Sequence, residues 1–344
     1  MPRSYQLPPH VLPTPRGSVS EAVIAALSTD PSDRVLLPTV SGTDPLGEDA
    51  QLALYTCYEL HYQGFSAVDD AWEWQPDLIR MRTQLERLFL GALRDLVPSG
   101  DDALGEMDAM SETPDTGTGP SWHLRDHGTW PQMQEYFAHR SLYHLKEGDP
   151  QAWVIPRLTG QAKAAFTAVE FDEYGGGRGD RMHSEMFAAL LSAAGLNPAY
   201  LAYLDEVPAE TMATVNLMSL FGLHRTLRGA AVGHFAAAEI TSSPGCHRLV
   251  EALRRLRAPM PCVRFYEEHV EADAVHELVL RTDVVEDLLN REPALAADVV
   301  FGMRAFDYVE ELFADRLMDS WSAGRSSMVT GGSIVSIESG YPRM

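Results

Sequence analysis

The sequence predicts an all-α protein. Apolar residues recur at three- and four-residue intervals through most of the chain from residue 48 onward, the spacing that lines one face of a helix. No run alternates apolar and polar residues as a half-buried strand does. Pro and Gly fall between the periodic stretches, which marks these as separate helices packed on one another.

In chain order, residues 1–18 and 28–48 are rich in Pro, Gly, Ser and Asp and read as extended or loop. Helical periodicity covers 48–65 and 76–96. The stretch PSGDDALGEMDAMSETPDTGTGPS, 98–121, is acidic, turn-rich and without a core face, so it reads as a mobile loop or linker. Helical patterns resume at about 129–147, 156–174, 181–195, 198–205, 208–242, 244–257, 261–289 and 293–319. The tail, 324–344, reads as a short extended segment or disorder, and no internal repeat is present. The expected organisation is an N-terminal helical extension with an acidic linker (1–120), a helical bundle (121–319) and a C-terminal tail (320–344).

With 344 residues, 45% of them hydrophobic, the chain can bury a core of ordinary size. A net charge of −22 argues against nucleic acid and anionic membranes as partners. Cys57, Cys246 and Cys262 form no CxxC pair and read as reduced thiols of a cytoplasmic protein. The Pro-rich N-terminus has no apolar signal core, and no apolar run is long enough to span a membrane.

Four helical stretches carry polar residues where apolar ones belong. In RFYEEHVEADAVHELVL, 264–280, His269, Asp273 and His276 fall within about 60° of one another on a helix. That stripe continues through Cys262, Phe265 and Tyr266 on one side and Val279 and Leu280 on the other, while Glu267, Glu271 and Glu277 fall outside it. Glu173 shares a stripe with Ala162, Phe166 and Val169. Beyond the helix-breaking Gly175–Gly177, His183 shares one with Phe187, Leu190 and Leu191. Glu239 follows Val232, Phe235 and Ala236 and has no Lys or Arg at helical spacing. Buried polar groups must be paired or coordinated. The bland reading of each is a satisfied core residue. Together, three carboxylates and three imidazoles on facing helices are the donors of a carboxylate-bridged di-iron or di-manganese site.

At these residues the sequence resembles the heme-oxygenase-like dimetal oxidases, the iron-containing redox enzymes, over roughly residues 140–285. The resemblance rests on KEGDPQAWVIPRLTGQAKAAFTAVEFDEYGGGRGDRMHSEMF and HVEADAVH. It implies a heme-oxygenase-like helical bundle without haem and a metal-ligand set of Glu173, His183, Glu239, His269, Asp273 and His276. Some members add a carboxylate three residues before the first His; that position is Asp180 here, one methylene shorter than Glu. Glu147 also looks family-like but is not assigned to the metal.

The resemblance further implies two Fe(II) ions (Mn as a substitute), O2 as co-substrate and a homodimeric assembly. The expected substrate is a small molecule, preferably an amino acid or derivative that is desaturated, cleaved at a C–C bond or N-oxygenated in specialised metabolism. A fatty acid undergoing oxidative decarboxylation is the alternative within the family. Arg157, Arg178, Arg181 and Arg264, close in sequence to the ligand helices, are candidates for gripping a substrate carboxylate. Glu59, His61 and Tyr62 read as helix surface, capping or interdomain contacts, and Trp72 and Trp74 as packing onto the bundle or a second subunit. A haem-binding protein of the same fold, a non-catalytic helical protein and a mono-zinc hydrolase are the remaining readings. Three inward carboxylates disfavour an anionic porphyrin, and HExxH is absent.

Overall fold

The structure is a computed structural model that describes residues 10–33, 37–112 and 116–329. Every regular element among them is helical. In order these are α1 (Ser18–Leu27), α2 (Glu48–Glu59), α3 (Pro76–Leu96), α4 (Ala103–Ser111), α5 (Pro120–Asp126), α6 (Trp130–His144), α7 (Asp149–Ala152), α8 (Gly160–Glu173), α9 (His183–Ala193), α10 (Ala209–Leu223), α11 (Arg228–Arg255), α12 (Met260–Val279), α13 (Asp287–Arg291) and α14 (Ala296–Ser322). A π-helical stretch, Leu280–Glu286, joins α12 to α13.

Local signals explain several starts. Gln75 accepts from the amides of Asp77 and Leu78 ahead of Pro76, and Thr129 and Gln132 form a capping box on α6. α10 is buried nearly all round, which makes it a central helix. α11 and α14 cross backbone to backbone. A Cβ on Gly233 would stand 2.0 Å from the Val299 carbonyl oxygen, and one on Gly302 would stand 2.0 Å from that of Ala230. α12 runs back along α11, linked by His276 to Glu239, Ser243 to Val270 and Arg254 to Glu267.

Two apolar cores meet these long helices at different ends. Residues of α11 between 230 and 240 and the segment from Leu280 onward belong to one core; residues 246–253 and 262–266 belong to the other. Glu239 lies at the edge of the first core, and His269, Asp273 and His276 lie between the two, so the polar residues sit where one core stops and the next begins.

Several expectations are corrected. The acidic stretch at 98–121 is not a free linker: α4 lies within it, Met107 is fully buried, and Arg304 grips Glu106 through two hydrogen bonds. α1 has no counterpart in the sequence reading; Val19, Val23 and Leu27 face inward, and Asp49 accepts from its first amides. Residues 198–205 form turns, and 224–227 interrupt the expected 208–242 helix. Conversely, α11 continues through Pro244. Residues of α1, α2, α3 and α4 share a core with α8, α10, α11 and α14. The expected tail conformation at 330–344 and the extended reading of 1–9 lie outside the described residues.

Candidate metal centre

α8 ends at Glu173 because three glycines with positive φ follow: Gly175 (67°), Gly176 (63°) and Gly177 (79°). This left-handed region suits glycine and turns the chain sharply before α9 opens at His183. Glu173 and His183, both at helix ends, are thereby brought together: His183 Nδ1 lies 2.7 Å from Glu173 Oε2. Neither is exposed by more than 4%.

The structure gathers the inward polar residues into two groups. Glu147, Glu173, His183 and His269 each offer a donor atom within 4.8 Å of the others; so do Glu173, Glu239 and His276. Glu173 belongs to both. Its Oε2 faces His183, and its Oε1 lies 3.9 Å from His276 Nδ1. Asp273 adjoins the second group, with Oδ1 3.9 Å from His276 Nδ1, and neither of its oxygens has a well-formed hydrogen bond among the described residues.

The imidazoles are held in defined orientations. His269 Nδ1 donates to the Phe265 carbonyl at 2.8 Å, which leaves Nε2 facing Glu147 at 3.6 Å. His276 is turned the other way: its Nε2 bonds Asp172 at 3.2 Å, and its Nδ1 faces Glu239 at 3.0 Å. An outer carboxylate or carbonyl that fixes the tautomer is what a metal-binding histidine requires. His144 Nδ1 bonds Glu147 Oε1 at 2.8 Å and orients that carboxylate in the same way.

Electrostatics show how unbalanced the protein alone leaves this site. Burial, then Asp273 and Glu173, push the Glu239 carboxyl well up. Burial also raises Asp273, to about 6, against the pull of His269. Burial works to raise Glu147 too, but His144 and His269 hold it below the ordinary range. Glu170, one turn before Glu173 on α8, is buried with neither oxygen bonded; burial and then Glu173 and Glu239 raise it. The orphaned atoms, Asp273 Oδ1 and Oδ2, Glu147 Oε2 and His269 Nε2, are all metal donors. Glu147, Glu173, Glu239 and Asp273 supply four negative charges, matching two divalent cations, and three imidazoles complete the set. The residues present fit a pair of first-row ions.

A cavity of about 400 Å³ rises from this floor. Glu147, Glu173, Glu239, His269 and Asp273 line its inner end, and Tyr136, Arg140, Tyr266, Arg248 and Phe313 line its walls.

All six residues expected from the sequence converge here. Glu147, which the sequence reading leaves off the metal, stands in the first group. It lies in the turn after α6, beyond the reach of helical periodicity. Asp172 and Glu170 were also missed. Asp180 is not in the site: its side chain is 73% exposed and pairs with Arg178 at 3.2 Å. The glycine turn that brings His183 to Glu173 leaves Asp180 on the outside. None of the four candidate arginines lines the cavity. Arg178, Arg181 and Arg264 are exposed, and Arg157 donates to the Leu223 carbonyl.

Of the roles expected for Glu59, His61 and Tyr62, Glu59 and Tyr62 take the one of contact between the N-terminal segment and the bundle. Glu59 is fully buried and takes Lys146 Nζ at 2.8 Å and the Tyr200 hydroxyl at 2.7 Å. His61 lies between Glu73 and Arg82, and the Tyr62 hydroxyl meets Ser219. Lys146 precedes Glu147, so α2 anchors the turn that carries this carboxylate. Trp72 is buried and donates to the Thr29 carbonyl, whereas Trp74 is 65% exposed.

Among curated proteins the chain is 23% identical over 241 residues to a nitrosourea synthase of Streptomyces achromogenes subsp. streptozoticus, an alignment covering 68% of this chain. The chain spans about half of that relative's length, 51%. Residues 134–311, half of the chain, include the whole two-part cluster and match the family described as iron-containing redox enzymes, so the chain belongs to that family.

Proposed function

We propose that the chain is a non-haem di-iron oxidoreductase that binds two Fe(II) ions and uses O2 to oxidise a small metabolite, an amino acid or derivative. The observation that carries this reading is the sharing of Glu173 between two groups of ligands, one oxygen toward each. One group draws on Glu147, His183 and His269; the other on Glu239, His276 and the adjoining Asp273. Two ferrous ions held by these residues would supply reducing equivalents to O2.

The chain's own residues do the rest. His144, the Phe265 carbonyl and Asp172 hold the donor atoms of Glu147, His269 and His276 in place. Phe187 and Phe265 pack around His144 and exclude water from one side of the floor. The cavity admits a substrate of limited size to the other side. Its walls mix aromatic rings with Arg140, Arg248, Thr241 and Ser242, which supports a polar metabolite over a fatty acid needing a long apolar tunnel. The relative's name, a nitrosourea synthase, supports nitrogen-containing substrates. A cytoplasmic homodimer is the proposed setting; no helix among the described residues is long and apolar enough to cross a membrane.

The test is anaerobic Fe(II) titration followed by O2 exposure with a panel of amino acids and fatty acids. The expected result is uptake of about two Fe(II) per chain, with O2 consumption accelerated by an amino-acid member of the panel. Tight uptake of a single Zn with no iron binding overturns the reading.

A further inference from the structure

Higher in the cavity stands a polar node that the metal groups do not use. Arg248 of α11 is half-buried; its Nε donates to Ser121 Oγ at 3.0 Å, and its guanidinium lies 4.6 Å from the Trp122 ring. Its Nη2 lies 3.9 Å from where a Cβ on Gly245 would stand, so the group reaches back along α11 toward Glu239. No carboxylate among the described residues pairs with it. The other cavity arginine differs: Arg140 is engaged through both terminal nitrogens by Glu310.

Two hydroxyls accompany Arg248 in the cavity wall. Tyr266 of α12 is 2% exposed, and its hydroxyl has no hydrogen-bond partner among the described residues. The Tyr136 hydroxyl accepts from Arg140 Nε at 3.3 Å, which leaves its own proton to donate. A guanidinium with no carboxylate partner among the described residues and two hydroxyl donors form a receptor for an anion. A buried unpaired donor is costly unless something accepts from it, and a carboxylate suits the guanidinium fork.

We infer that Arg248, Tyr266 and Tyr136 form a carboxylate-binding end of the substrate site, so that the part of the substrate remote from its carboxylate reaches the metal-binding floor. The orientation follows from the helices. Tyr266 lies seven residues before Asp273, about 10 Å along α12, and Arg248 lies nine after Glu239, about 13 Å along α11. A carboxylate held there cannot bring its own α-carbon to the floor; a chain several bonds long can. Thr241, Ser242, Cys246 and Phe265 line the span between. The orientation rests on the proposed di-iron function, but the carboxylate site itself does not require metal.

The test uses the full-length, iron-free protein. Hexanoate and 6-aminohexanoate are titrated calorimetrically beside their primary amides, with wild type, Arg248→Gln and Tyr266→Phe, and Fe(II) uptake is measured for each protein. The expected result is that wild type prefers each acid to its amide by about tenfold, the scale of a hydrogen bond to a charged group. Arg248→Gln loses that preference. Tyr266→Phe binds the acids several-fold more weakly without losing thermal stability, because its hydroxyl has no partner to lose. All three take up Fe(II) alike. Equal binding of acid and amide by wild type, no binding of either, or an undiminished preference in Arg248→Gln overturns the inference. Acid preference without Fe(II) uptake in wild type sinks the di-iron reading and leaves the carboxylate site standing.

Discussion

Replacing Asp273 by Asn should stabilise the iron-free protein and cripple iron binding. Asp273 is 1% exposed, and neither of its carboxylate oxygens has a well-formed hydrogen bond among the described residues. Burial, with Glu173 adding to it, raises its carboxyl from the ordinary 3.8 to about 6, although His269, the Ser242 hydroxyl and His276 pull the other way. A folded-state pKa above the unfolded one gives stability that is full below about pH 4 and is lost as pH rises through about 6. At pH 7.5 the metal-free fold therefore carries a penalty on the order of 3 kcal/mol from this one ionised group. Asn keeps the shape of the neutral acid and removes the charge. The assay is urea unfolding of metal-free wild type and variant at pH 7.5, followed by anaerobic Fe(II) titration of both. The variant should gain up to about 3 kcal/mol and lose at least one of the two iron equivalents. A variant less stable than wild type that still binds iron normally would mean that Asp273 belongs to a structural hydrogen-bond network, and the metal reading would lose its electrostatic basis.

Three further outcomes are expected. His276→Ala should remain folded by circular dichroism but bind iron poorly, whereas Glu277→Ala, outside the inward row, should bind like wild type; identical titrations for the pair would refute the helix phase. Gly175→Val should impair iron loading and cost at least about 1–2 kcal/mol, because its Cβ would stand 2.5 Å from the Arg181 carbonyl carbon at a φ of 67°; wild-type iron uptake and stability would show the turn to be incidental. His139, buried between the Thr211 and Ser327 hydroxyls, is held down to about 3 by burial and then by Arg140 and Arg316. Its contribution to stability is full above about pH 6.5 and is lost as pH falls toward 3. Wild type should therefore lose about 2 kcal/mol more than His139→Gln between pH 7 and pH 5; equal losses in urea unfolding would refute this.

The inward row on α12 was legible because a helix turns each residue by a fixed angle, so His269, Asp273 and His276 declare a shared direction without any tertiary knowledge. Glu173, His183 and Glu239 were legible for the same reason. Glu147 was harder to read because it lies in a turn beyond the end of α6, where periodicity no longer reports direction. The arginines failed for a different reason. Nearness in sequence to a ligand helix says nothing about which helix faces the cavity, and Arg248 reaches it from two and a half turns along α11. The segment at 98–121 looked like a linker because its composition is acidic. Its order comes from long-range partners, Arg304 for Glu106 and Arg281 for Asp108, which no local pattern reveals.

The crossing of α11 and α14 at Gly233 and Gly302 has a mechanical consequence. Beyond this contact the two helices become opposite walls of the cavity, Ala238–Leu249 on one side and Phe306–Ala314 on the other. The glycine pair is the fulcrum of a lever whose arms bound the space offered to a substrate. A methyl group inserted at the fulcrum would be magnified along the arms into a wider mouth, without any change to a residue that touches the substrate. On the proposed function, the room offered to a substrate would depend partly on how tightly two backbones are pinched, several turns away from the Arg248 node.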